Sequence, residues 1–220
     1  MKRHVFVIAC APRSGSTLMQ RLLMSHPDLF MWGEGRYLIR PLLDFDKGYD
    51  QCKDKSRWSW EDARDNGLIK GWYPSMMPEV PSKQLVAGWL DQLMGSQPFG
   101  SWGCKFIMIT PDEVKRLHSI FPDAGFIFLT RNFEEVSESF QSVKQRWDMK
   151  LTVNDIFLAY QRLVAFFRDP GFEALDIHYD ELVSDPAAAA NKIEGFLGMQ
   201  SGSLNMEVFK HKVRHAGDSK

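Results

Sequence analysis

Apolar and polar positions fall along this chain in blocks that read as strands separated by helices. Val5 to Ala9 is an apolar run of strand length, and the residues after it enter a short turn at Pro12-Arg13-Ser14-Gly15-Ser16. Leu18, Met19, Leu22 and Leu23 then recur on one helical stripe, which Ser25-His26-Pro27-Asp28 ends. Leu29-Phe30-Met31-Trp32 reads as a second strand running into Gly33-Glu34-Gly35-Arg36. From about Tyr37 to Trp102 the pattern weakens, with helices predicted over Leu38–Phe45 and Ser82–Met94. Order returns with an apolar strand pattern from Gly103 to Ile109. Thr110-Pro111-Asp112-Glu113 then supplies an N-cap, a proline at the first helical position and a capping-box carboxylate, so a helix is predicted to about Phe121. Phe126–Thr130 is the next strand, and Asn132 with Glu135 opens a helix through roughly Trp147. Thr152 with Asp155 opens another. Leu175–Tyr179 is the last strand, and Pro186 starts a final helix ending near Gly198.

Strands alternating with helices predict an α/β fold. Its centre is a mostly parallel sheet with helices on both faces, in a P-loop-like three-layer arrangement. Ligands of such sheets bind beyond the carboxyl ends of the strands. A chain of 220 residues, 44% hydrophobic, can bury one core, so residues 1–220 are expected to form a single domain. The stretch from about 38 to 101 is expected to be an inserted cap. The net charge of -1 argues against a nucleic-acid coat. No uninterrupted apolar run reaches the ~18 residues of a membrane span, and the basic start leads directly into the first strand. Cys10, Cys52 and Cys104 are odd in number and widely spaced, which fits a reduced, cytoplasmic setting. The six histidines never fall at metal-ligand spacing with cysteines or carboxylates, so no metal site is expected.

The opening strand, turn and helix carry the first candidate chemistry. That order points backbone N–H groups and the positive end of a helix dipole at one spot, which suits a phosphate or sulfate. Gly15 permits close approach of an anion, Ser14, Ser16 and Thr17 add hydroxyls, and Arg13 adds a forked cation. Against the nucleotide-kinase pattern G-x-x-x-x-G-K-[ST], Cys10 replaces the first glycine and Ser16 replaces the lysine, while Gly15 and Thr17 match. Phe126-Ile127-Phe128-Leu129 also runs into Thr130-Arg131, where a metal-binding aspartate would be needed. A P-loop kinase remains the second enzyme reading.

Arg131 closes a strand at the ligand edge, and Ser139 follows about two helical turns later, seven residues past Asn132 and roughly 10 Å along the axis. The pair could grip a second phosphate, or serve as a structural ion pair and a surface serine. With both features in view the chain resembles the sulfotransferases that use 3′-phosphoadenosine 5′-phosphosulfate (PAPS). Pro12-Arg13-Ser14-Gly15-Ser16-Thr17-Leu18-Met19, Leu22-Leu23 and His26-Pro27 look like that family's 5′-phosphosulfate loop, in the protein-tyrosine and carbohydrate form. Phe121-Pro122-Asp123-Ala124-Gly125 through Arg131, with Ser139, resembles its 3′-phosphate motif. His178-Tyr179-Asp180-Glu181-Leu182-Val183-Ser184-Asp185-Pro186 and Phe196-Leu197-Gly198 resemble its close.

The resemblance implies transfer of a sulfuryl group to a small-molecule, carbohydrate or peptide hydroxyl, or to an amine, without a metal, releasing 3′,5′-adenosine bisphosphate (PAP). It implies cofactor-binding roles for Arg13, Ser14, Gly15, Ser16, Thr17, Arg131, Ser139 and Tyr179. Arg13 and Lys105 would act near the transferred group, and Glu34 would be the catalytic base. Related tyrosine sulfotransferases carry a Gly-Glu-Glu run whose second glutamate is the base, whereas this chain reads Gly33-Glu34-Gly35. That departure leaves His26 or a residue of the middle segment as other bases, and a donor-binding protein without catalysis as a third reading. The basic Lys210-His211-Lys212-Val213-Arg214-His215 either lies over the 3′-phosphate or is a solvated tail.

Overall fold

The computed structural model describes residues 1–34, 36–55, 81–144 and 151–210. Five strands, β1 (His4–Ala9), β2 (Leu29–Glu34), β3 (Ser101–Ile107), β4 (Gly125–Thr130) and β5 (Leu175–His178), form one sheet in the order β2-β3-β1-β4-β5. Every pairing is parallel. The carboxyl ends of all five strands therefore share one edge. Helices α1 (Ser16–Leu23), α2 (Arg36–Lys55), α3 (Ser82–Met94), α4 (Pro111–Ile120), α5 (Phe133–Lys144), α6 (Val153–Phe167), α7 (Tyr179–Ser184) and α8 (Pro186–Leu197) surround it. A 3₁₀ turn covers Met206–Lys210.

The central strand explains the layering. Val5 to Ala9 are fully buried, and their side chains alternate between two cores. Phe6 and Ile8 join Trp102, Phe106, Phe126 and Phe128 beneath α2 to α6. Val5 and Val7 join Ile127, Leu129 and Ile177 beneath α1 and α8, through Met19, Leu22, Ile193 and Leu197. The α4 and α6 starts carry the expected capping boxes, Thr110 with Glu113 and Thr152 with Asp155. Gly198 closes α8 in the left-handed conformation at φ 66°.

Among the boundaries that differ from the sequence expectation, three have a local reason. Strand β3 stops at Ile107 because Met108 takes a left-handed φ of 62°, which breaks extended backbone. Tyr179 opens α7 instead of closing β5, because the His178 ring nitrogen accepts the Asp180 N–H at 3.3 Å as an N-cap. Helix α2 runs on from the expected end at Phe45 to Lys55. Its buried face continues through Asp46, a carboxylate just past the predicted helix end. Asp46 is wholly enclosed and bonded to Ser82 Oγ at 2.7 Å and to Arg116. The residues of the α5 reading beyond Lys144 lie outside the described residues.

Candidate active site

The turn after β1 is held in shape by its own backbone. Cys10 N–H donates to the Leu129 carbonyl at 3.0 Å, extending the β1–β4 ladder by one residue. The buried Ser14 hydroxyl donates to the Ala11 carbonyl at 2.9 Å, so its proton is committed inside the loop. Arg13 and Gly15 both have positive φ, 70° and 93°, on either side of Ser14. Alternation of this kind curls successive N–H groups into a concave nest for an anion. Gly15 is also the N-cap of α1 and offers no capping side chain. The first-turn N–H groups of Ser16 and Thr17 thus lack an intrahelical acceptor and face the same concavity.

Glycine is required at position 15 for a second reason. A Cβ there would lie 2.4 Å from Cδ2 and 2.7 Å from Cε2 of Tyr179, so the edge of the tyrosine ring packs directly against the loop. On that ring, 4.2 Å from its centroid, sits the guanidinium of Arg131. Arg131 Nη1 donates to the Arg13 carbonyl at 3.0 Å and its Nε donates to Glu135 at 2.9 Å. Arg13 in turn donates from Nε to Ser139 Oγ at 3.1 Å. Arg13, Arg131, Ser139 and Tyr179 come from four separate segments and form one continuous patch. Burial, then the neighbouring Arg131 charge, push the Arg13 guanidinium below its ordinary pKa. Two like charges held this close are stabilised by an anion between or beside them.

Lys105 reaches the loop from the other side, and strand register explains how. It pairs with Val7, whose side chain points to the α1 layer. Lys105 shares that face, is only 8% exposed, and donates from Nζ to Thr17 Oγ1 at 3.1 Å. Burial lowers its pKa, and the Glu34 carboxylate opposes that shift. Glu34 pairs with Lys105 across β2 and β3, where a register shift between Trp32 and Glu34 re-aims the end of β2. Glu34 is exposed. His26, the other base named from sequence, is buried in the turn before β2, where its Nδ1 accepts the Asp28 N–H at 3.1 Å. That turn lies at the amino-terminal edge of the sheet, a strand length of about 20 Å from Glu34. Of the basic tail only Lys210 is described, in an ion pair with Glu207 at 2.6 Å.

Sequence reasoning missed Arg40, which clamps the exit of β3. Its Nη2 donates to the Met108 carbonyl at 3.2 Å and to Glu113 at 3.1 Å, tying α2 to the cap of α4. No motif marks a surface arginine as the partner of a left-handed residue 68 positions away. Among the described residues no group of three or more His, Cys, Asp or Glu side chains could hold a metal ion.

Cys10 lies beside this patch but is not a nucleophile. Its side chain is fully enclosed, and burial raises the thiol pKa to about 11. Iodoacetamide at pH 8 is expected to leave Cys10 unmodified in the folded protein and to label it after denaturation, read by peptide mass spectrometry.

A strand–nest–helix loop thus adjoins a second arginine patch at the end of the neighbouring strand. The chain belongs to the sulfotransferase family, whose model matches residues 5–201. Its fold is similar to the sulfotransferase domain of the curacin biosynthetic pathway, with 20% identity and a TM-score of 0.58, covering 94% of this chain and 77% of that one. It is similar also to a sulfotransferase of Alicyclobacillus acidocaldarius, with 15% identity and a TM-score of 0.57 over 95% and 85% of the two chains. The sulfotransferase domain of the Synechococcus PCC 7002 olefin synthase gives 20% identity and a TM-score of 0.55 over 95% and 83%. No curated protein sequence matches the chain significantly. No helix among the described residues is long and apolar enough to cross a membrane.

Proposed function

We propose that this protein transfers a sulfuryl group from PAPS to a hydroxyl acceptor, releasing PAP. The observation that carries the reading is the single patch made by the anion loop, Arg131, Ser139 and Tyr179, with Lys105 at its flank. Two phosphate-sized grips joined through Arg13 suit a ligand with an anionic group at each end of one nucleoside. The concave run of N–H groups set by positive φ at Arg13 and Gly15 supports the fit.

The donor, when bound, supplies the sulfuryl group and a phosphate leaving group. The rest falls to this chain's own side chains. Gly15, Ser16 and Thr17 present N–H groups, and Ser16 and Thr17 hydroxyls, to the 5′ end, while Arg131 and Ser139 hold the 3′-phosphate. Arg13 and Lys105 place positive charge where negative charge develops. Glu34, beside Lys105 across two strands, takes the proton of the attacking hydroxyl. The kinase alternative is disfavoured by one contact. In a kinase loop the hydroxyl at the position of Thr17 ligates magnesium, and here a lysine ammonium donates to it.

Thermal unfolding tests the reading. PAP at a hundredfold excess over its dissociation constant is expected to stabilise the protein by about 2.7 kcal/mol. Arg131→Ala removes charge-assisted bonds worth about 1.5–3 kcal/mol, a loss of roughly 10- to 150-fold in PAP affinity. Stabilisation by magnesium ATP and none by PAP would overturn the proposal in favour of a kinase.

A further inference from the structure

A cavity of about 290 Å³ opens beside Glu34, walled by Trp32, Gly33, Leu38, Leu93 and Met94. Its position follows from the fold. β2 delivers Trp32, Gly33 and Glu34 to the ligand edge, the first turn of α2 adds Leu38, and the last turn of α3 adds Leu93 and Met94. Met94 is buried and anchors α3 to the core, whereas Leu38 and Leu93 remain 36% and 42% exposed. Two leucines from different helices thus keep apolar surface in water at a mouth that Glu34 also lines. Strand register sets that carboxylate beside Lys105 and hence beside the anion loop.

The chemistry of the walls restricts what enters. The Trp32 indole N–H already donates to the Met94 carbonyl at 3.1 Å, so this polar edge is spent. Among the described residues Glu34 is the one ionisable side chain of the lining. Against the described walls a sugar ring would leave several hydroxyls without partners, each costing its full desolvation. An acidic peptide would meet Glu34 with like charge. The volume, about 290 Å³, sits at the lower bound of small-molecule sites, about 300–1,000 Å³.

We infer that this cavity receives the carbon skeleton of a compact aromatic or alicyclic alcohol and presents its hydroxyl to Glu34. The inference rests on the sulfuryl-transfer reading above and names the acceptor class for that site. Trp32 supplies a flat apolar face, Leu38 and Leu93 close over the skeleton, and Glu34 accepts the hydrogen bond of the hydroxyl. Leu93 and Leu38 then decide which acceptors bind without touching the donor patch.

Calorimetric titration of the full chain, saturated with PAP, tests the inference with 2-naphthol as probe. The expected result is saturable binding of one 2-naphthol per chain and no saturable binding of N-acetylglucosamine or of an acidic tyrosine peptide. Leu93→Gln, and separately Leu38→Gln, are expected to weaken 2-naphthol by about tenfold or more. Both lie on partly exposed helix faces, and the stabilisation by PAP is expected to persist in both. A protein that binds PAP but not 2-naphthol overturns the inference alone. So does 2-naphthol affinity untouched by both substitutions, or tighter binding of the sugar or the peptide. Failure to bind PAP at all overturns the sulfuryl-transfer reading, and the acceptor class with it.

Discussion

Glu34→Gln is expected to lower turnover by about 10²- to 10⁴-fold while PAP stabilises the variant as well as the parent. Glutamine keeps the shape of the side chain and loses the ability to take a proton, and that is the range positioned proton transfer contributes. The carboxylate is placed for the task by backbone alone. The β2 irregularity between Trp32 and Glu34 turns the strand end, and the parallel pairing with β3 sets Glu34 opposite Lys105. Because Glu34 is exposed and holds no described element in place, the substitution leaves the fold intact. Steady-state kinetics with labelled donor, alongside PAP-dependent unfolding, separate the two effects. Unchanged turnover in the variant would remove Glu34 as the base.

Lys105→Ala is expected to cost about 10²- to 10³-fold in turnover, the usual loss when one preorganised donor to developing charge is removed. Lys105 is fixed from both ends, by its strand and by the 3.1 Å bond to Thr17, so its charge needs no reorganisation during the reaction. Burial holds its ammonium below the ordinary lysine pKa, with Glu34 partly opposing. The charged form is the useful one, so turnover should fall on the alkaline side at a lower pH than a free lysine would set. Lys105→Arg stays charged throughout and is expected to move that limb to higher pH, at reduced turnover because the forked group fits a point-charge site poorly. A pH–rate profile whose alkaline limb is the same in both proteins would dissociate Lys105 from the chemistry.

The order of strands and helices was legible because each carried a local signal. The β1 run ends at a glycine-serine turn, and Thr110 and Thr152 begin helices whose third residue completes a capping box. Elements closed by long-range contacts were not legible at their ends. Asp46 lies just past the helix expected from sequence, and it is Ser82 and Arg116, 36 and 70 positions away, that hold it in the interior. Met108 carries no sign of its left-handed backbone, which Arg40 supports from another helix.

The site divides along the same line. The anion loop is contiguous, so residue types and spacing were enough to single it out. Arg131 and Ser139 stood out as a pair, but sequence placed them at a distance from the loop, whereas Arg13 bonds to Ser139 directly. The Lys105–Thr17 contact depends on which face of β3 the lysine occupies, a matter of pairing register rather than of composition. The cavity beside Glu34 depends on α2 and α3 converging at the end of β2, and no motif encodes that convergence.

The bond from Arg131 to the Arg13 carbonyl, and that from Arg13 to Ser139, also bear on how fast a ligand is captured. They brace the loop through groups of the protein itself, so on the proposed reading an arriving dianion would meet a mouth already shaped and need not wait for backbone to settle. Encounter is then governed by diffusion and by the cationic field of Arg13, Lys105 and Arg131. Such a field draws anions inward most strongly in dilute buffer and fades as added salt shortens its reach to about 10 Å at 0.1 M.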